Sequence, residues 1–167
     1  MKKGEENMSK CVILQKIILL SMMAIIICTC GCSFDVYKKT NYVSSVTAVI
    51  KQQQEEVDNY VTLTTDVSEK NMSLEEAKKI FEKSRDNLLQ FKKDLEAIVP
   101  PGDYTDEHQN FIKGFQLSVE AVEGSMAILD IKDEKEKNKK IEEIKGKIVE
   151  YRKLIKLGLN SISVDLR

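Results

Sequence analysis

The chain has 167 residues, with 26 Lys plus Arg against 27 Asp plus Glu and a formal net charge of −1. That balance excludes the basic face on which nucleic-acid binding depends, and the length allows one modest domain. All four cysteines fall within the first 32 residues, so the remainder has no disulfide, thiol redox pair or zinc-ribbon spacing to offer.

The chain opens with Lys2, Lys3, Lys10 and Lys16, followed by eighteen uncharged residues from Ile17 to Phe34. A basic flank before a short apolar core is the layout of an export signal. Glu5 and Glu6 are unusual in such a flank, so Met8 stands beside Met1 as an alternative start. The apolar run closes on Thr29-Cys30-Gly31-Cys32-Ser33. Here the sequence resembles the lipobox of bacterial lipoproteins, in which a small residue precedes a cysteine that is diacylated before cleavage. Gly31 and Cys32 match the two most informative positions, whereas Thr29 departs from the usual leucine and Cys30 is an uncommon neighbour.

The resemblance implies lipidation (palmitate-type acyl chains) at Cys32 and an extracytoplasmic chain held to the cell membrane by its lipidated N-terminus. Two acyl chains on one residue meet the requirement for stable anchoring, which a single chain does not. The alternative is an uncleaved anchor helix, for which eighteen uncharged residues are near the lower limit. The expected organisation is a signal or anchor over 1–32, a tether over 33–41 and a helical bundle over 42–167. Cys28, Cys30 and Cys32 have the look of a metal cluster, but they lie in or beside the leader and are expected to hold no metal.

Residues 33–167 carry 22 Lys plus Arg and 25 Asp plus Glu, hence a net −3, interspersed as on soluble helices. There is no Trp, and the two prolines are the adjacent Pro100 and Pro101. Four helical stripes follow in chain order. Over 42–65, Tyr42, Val43, Val46, Val49, Ile50, Val57, Tyr60 and Val61 recur at three- and four-residue steps, with Gln53 and Gln54 read as an interruption. Residues 66–72 read as a connection. Ser73 and Glu76 then form a capping-box pattern, and Leu74, Ala77, Phe81, Ser84, Leu88, Phe91, Leu95 and Ile98 make the second stripe. Pro100-Pro101 ends that helix.

The third helix is expected to start near Asp103 or Thr105. Its apolar face is His108, Phe111, Phe115, Val119, Val122, Met126 and Leu129, flanked by small residues Gly114, Ser118, Ala121 and Ser125. The fourth spans about 133–160, with a cap from Asp133 and Glu136 and a stripe of Ile141, Ile144, Ile148, Tyr151, Ile155 and Leu159. Amphipathic helices joined by short loops bury their stripes most economically in an antiparallel up-down-up-down bundle. The expected fold is therefore all-α: a four-helix bundle after an N-terminal signal or anchor helix. With a short tether, the Pro-Pro loop and the C-terminus would face the membrane.

The segment from Ile98 to Gly114, with Pro100-Pro101, Tyr104, His108, Phe111 and Gly114 in that order, resembles a pattern in small uncharacterised lipoproteins of Gram-positive bacteria. The resemblance covers roughly residues 74–155 and implies a tethered helical domain without assigning an activity. Candidate contacts for a ligand or partner are His108, Tyr104 and Gly114.

Catalytic chemistry finds no constellation in the sequence. His108 is the sole histidine, Thr105 stands where a di-iron Glu-x-x-His motif needs glutamate, and neither a nucleophile elbow nor a phosphate loop is present. The carboxylate pairs Glu55-Glu56, Glu75-Glu76 and Glu142-Glu143 point about 100° apart on a helix and do not converge. His108 is expected to pack and hydrogen-bond the Pro-Pro turn; Asp103, Asp106 and Glu107 are expected to serve the positive end of the helix dipole. The small stripe reads either as close approach of a neighbouring helix or as a groove for a partner. The expected protein is a non-enzymatic binding or structural module of the cell envelope, without a cofactor and with a possible envelope protein as partner. The alternative is a small-ligand or metal-sensing lipoprotein that uses the His108 end.

Overall fold

In the computed structural model four α-helices and one 3-10 turn form among the described residues, with no strand. The structure describes residues 3–69 and 72–164, with the side chains of 3–34, Ser68 and Val164 outside that description. The Cys32 lipidation site and the leader's side chains therefore lie outside it. Helix α1 spans Lys3–Ser68, α2 Leu74–Glu96, α3 Thr105–Ile128 and α4 Glu134–Val164, and Gly102–Tyr104 form the 3-10 turn before α3. Among the residues whose side chains are described, from Asp35 onward, no helix is long and apolar enough to cross a membrane. The chain divides into two units, residues 1–40 and residues 41–167. In the first, Thr40 donates its hydroxyl to the Val36 carbonyl one helical turn back, at 2.9 Å.

In the second unit the helix ends follow from local chemistry. Ser73 caps α2, its hydroxyl oxygen accepting the Glu76 N–H at 3.3 Å. Asp133 does the same for α4, accepting the Glu136 N–H at 2.7 Å. Both oxygens satisfy a free N–H of a helix first turn. Helix α2 stops at Glu96, before Pro100 and Pro101. The 3-10 turn then carries the chain into α3, with Tyr104 N–H bonded to the Pro101 carbonyl at 2.9 Å.

The core holds Val46, Ile50, Val57 and Tyr60 of α1, Phe81, Leu88 and Leu95 of α2, Phe111, Phe115 and Val122 of α3, and Ile144, Tyr151, Ile155 and Ile162 of α4. Each fully buried side chain of this size contributes about 1.5–3 kcal/mol, whereas an exposed ion pair contributes about 0–1 kcal/mol. The core outweighs the many surface pairs, such as Lys79–Glu75 and Lys145–Glu142.

Contacts fix the helix directions. Tyr42 meets His108, Gln53 meets Ser118 and Tyr60 meets Ser125, so the part of α1 in this unit runs parallel to α3. Glu56 accepts from Ser84 and Asn87, and the Tyr60 ring packs on Phe81 at 5.9 Å, so α1 and α2 run antiparallel. Gly124 faces Ile144 while Gly114 faces Ile155, so α3 and α4 also run antiparallel. The unit is the all-α, up-down-up-down four-helix bundle expected from the stripes.

Three details differ from the sequence expectation. Helix α1 continues to Ser68, so the connection begins later than residue 66. Leu74, the first residue of α2, is 62 % exposed and lies outside the core. Gln53 does not interrupt the first stripe; it is 0 % exposed and belongs to the core.

Candidate functional site

Three elements meet where Asn41 enters the second unit. The Tyr42 ring of α1 stacks on Tyr104 of the 3-10 turn at 5.5 Å between centroids and lies tilted against the His108 ring at 5.8 Å. The Tyr42 hydroxyl and His108 Nδ1 share a buried hydrogen bond of 3.1 Å. His108 is 3 % exposed and Tyr104 1 %. The partner of His108 is therefore α1, and not the Pro-Pro turn that the sequence suggested. Burial holds the His108 imidazole below its ordinary pKa, because the charged form loses its hydration there. Burial likewise raises the Tyr42 hydroxyl, with help from the Glu107 carboxylate. Glu107 in turn accepts the Ser161 hydroxyl of α4 at 2.6 Å, which closes this end of the bundle.

The structure brings Tyr104 and His108 together through Tyr42 and separates Gly114 from both. Gly114 faces α4, where an added Cβ would stand 3.3 Å from Ile155 Cδ1 and 3.6 Å from Leu154 Cβ. The rest of the small stripe receives large polar side chains from α1. Gln53 Nε2 donates to the Ser118 hydroxyl, which in turn donates a hydrogen bond to the Phe115 carbonyl at 2.7 Å. The Tyr60 hydroxyl reaches both the Ala121 carbonyl at 3.1 Å and Ser125 Oγ at 2.7 Å. The stripe thus lets α1 and α4 approach α3 closely, as small residues at helix contacts do.

Two more glycines take part, and neither was singled out in the sequence. A Cβ at Gly124 would come within 2.9 Å of Ile144 Cγ1, and one at Gly158 within 2.6 Å of Phe111 Cζ. Gly158 was legible in principle, since it continues the step Ile144, Ile148, Tyr151, Ile155 by three. Across the same α3–α4 interface Lys147 pairs with Glu120. That bond, with Gln116 assisting, holds the Glu120 carboxyl below its ordinary pKa.

Gln54, Asp58, Arg152 and the core residue Tyr151 line a surface depression of about 390 Å³ between α1 and α4. Arg152 and Asp58 form an ion pair across it at 3.3 Å, both more than half exposed. Among the described residues no three His, Cys, Asp or Glu side chains gather as a metal site. The chain matches no protein-family model, no curated protein and no solved structure.

Proposed function

We propose that the chain is a bacterial lipoprotein, acylated on Cys32 and held to the outer face of the cell membrane. In this reading the helical unit is a non-enzymatic binding or structural module of the envelope. The observation that carries it is the leader pattern: Lys2, Lys3, Lys10 and Lys16, then an uncharged run ending in Gly31-Cys32. The likeness of residues 74–155 to small helical lipoproteins of Gram-positive bacteria points the same way.

A structural or binding role draws support from how the polar groups are used. His108 bonds to Tyr42, Gln53 to Ser118 and Tyr60 to Ser125, each pair across two helices. They are committed to holding the bundle together. The alternative, a ligand- or metal-sensing role at the His108 end, has less support, because Nδ1 is bonded to Tyr42 and the ring is buried.

Mass spectrometry of the chain purified from membranes tests the proposal. The expected N-terminus is a diacylglyceryl-modified Cys32, and Cys32→Ala should leave the leader uncleaved. An unmodified Cys32 inside an intact leader would remove the lipid anchor from the account.

A further inference from the structure

The junction of Tyr42, Tyr104 and His108 joins α1 to the 3-10 turn and α3 at one end of the unit. Its polar bond rests on an imidazole that is neutral when buried. With Nδ1 as acceptor, the Tyr42 hydroxyl donates and Nε2 carries the proton. Adding a proton to Nδ1 reverses that bond and displaces the Tyr42 hydroxyl hydrogen. It also places a full charge where burial is the cause acting on the ring.

Groups of α1, the turn and α3 surround that charge. Tyr42 faces it from α1, and Tyr104 of the turn stacks on Tyr42. On α3 the adjacent Glu107 carboxylate is bonded to Ser161 of α4. That carboxylate also acts on the Tyr42 hydroxyl, while burial is the cause that lowers the His108 ring. The rest of α1 is fastened separately, by Gln53 on Ser118 and Tyr60 on Ser125 and Ala121.

We propose that this junction is an acid-opened latch: protonation of His108 frees the start of the α1 segment from the turn and α3 while the Gln53 and Tyr60 layers stay closed. The sign follows from linkage. A histidine whose folded pKa lies below its unfolded value of about 6.5 stabilises the closed form above that pH. The contribution is lost as pH falls below about 6.5 toward the folded value. Such a device would let a surface-tethered module respond to an acidified surrounding, whether or not its anchor is a lipid.

Hydrogen exchange on the full chain in detergent micelles tests the latch at about pH 7.5 and about pH 5, after correction for intrinsic exchange. Peptides covering 41–47 and 102–111 should accelerate on acidification, as the linkage requires. Peptides covering 53–60 and 118–125 should not. His108→Asn, which keeps a neutral acceptor near the Nδ1 position, should abolish the acceleration. The sole histidine resonance of the unsubstituted chain supplies a second readout: its titration midpoint should coincide with that of the exchange. A uniform acceleration, no acceleration, persistence in His108→Asn, or separate midpoints would each overturn the proposal.

Discussion

Replacing Gly158 by leucine should destabilise the bundle by about 3 kcal/mol, the upper range for forcing extra carbons into a packed core. The first added carbon already meets the Phe111 ring at 2.6 Å from Cζ, and Phe111 is fully buried. Total stabilities of domains are about 5–15 kcal/mol, so the loss is a large share. The control lies on the same helix. A Cβ on Gly146 meets nothing within 4 Å. Gly146→Ala should therefore stabilise by about 0.5–1 kcal/mol through helix propensity alone. Phe111→Leu should recover part of the Gly158→Leu loss, since the two share one contact. Urea unfolding of the three variants checks this. Equal effects at Gly146 and Gly158 would mean that Phe111 does not sit against α4 as described.

Ser118→Ala should cost about 1–3 kcal/mol, the penalty for leaving a buried polar group without its partner. Ser118 accepts from Gln53, whose amide is wholly buried and whose Oε1 has no protein partner. Removing the serine leaves both ends of that amide unsatisfied. Gln53→Leu on the Ser118→Ala background should then recover most of the loss, because replacing both partners by apolar groups is close to neutral. Gln53→Leu alone should cost little or nothing, as it removes an oxygen that already lacks a partner. A double-mutant cycle read by denaturant midpoint decides it. Additive losses would show that Gln53 and Ser118 do not interact.

These two expectations come from the residues where sequence reading and structure part company. The stripes of α2, α3 and α4 were legible because Leu, Phe and Ile at three- and four-residue steps leave one solution for burial. The caps at Ser73 and Asp133 were legible because an oxygen side chain three residues before glutamate has a specific local use. Gln53 was misread as a break, yet it keeps the step Val46, Ile50, Gln53, Val57, Tyr60. Periodicity outranked polarity there, because Ser118 on α3 supplies a partner that no local pattern reveals. Gly158 was passed over for the same reason: its meaning lies in Phe111, 47 positions away.

At the candidate site, Tyr104 and His108 were marked by the Pro-Pro segment, and both are in the junction. Tyr42, which joins them, was read only as an apolar stripe residue. Its hydroxyl finds His108 across 66 positions of sequence, and such pairings are set by helix order and not by spacing. Gly114 was marked with them, but α4 packs against it, so it serves the interface between helices.

The account stands on residues 41–68 of α1 lying parallel to α3 and fastened to it at Tyr42, Gln53 and Tyr60. Nuclear Overhauser contacts in the isotope-labelled full chain in micelles test this most directly. Cross-peaks should join the Tyr42 ring to the His108 ring, and the Tyr60 ring to Ser125 and Phe81. Contacts of Tyr42 with the Ser125 end of α3, or of Tyr60 with the His108 end, would reverse α1 and contradict the arrangement.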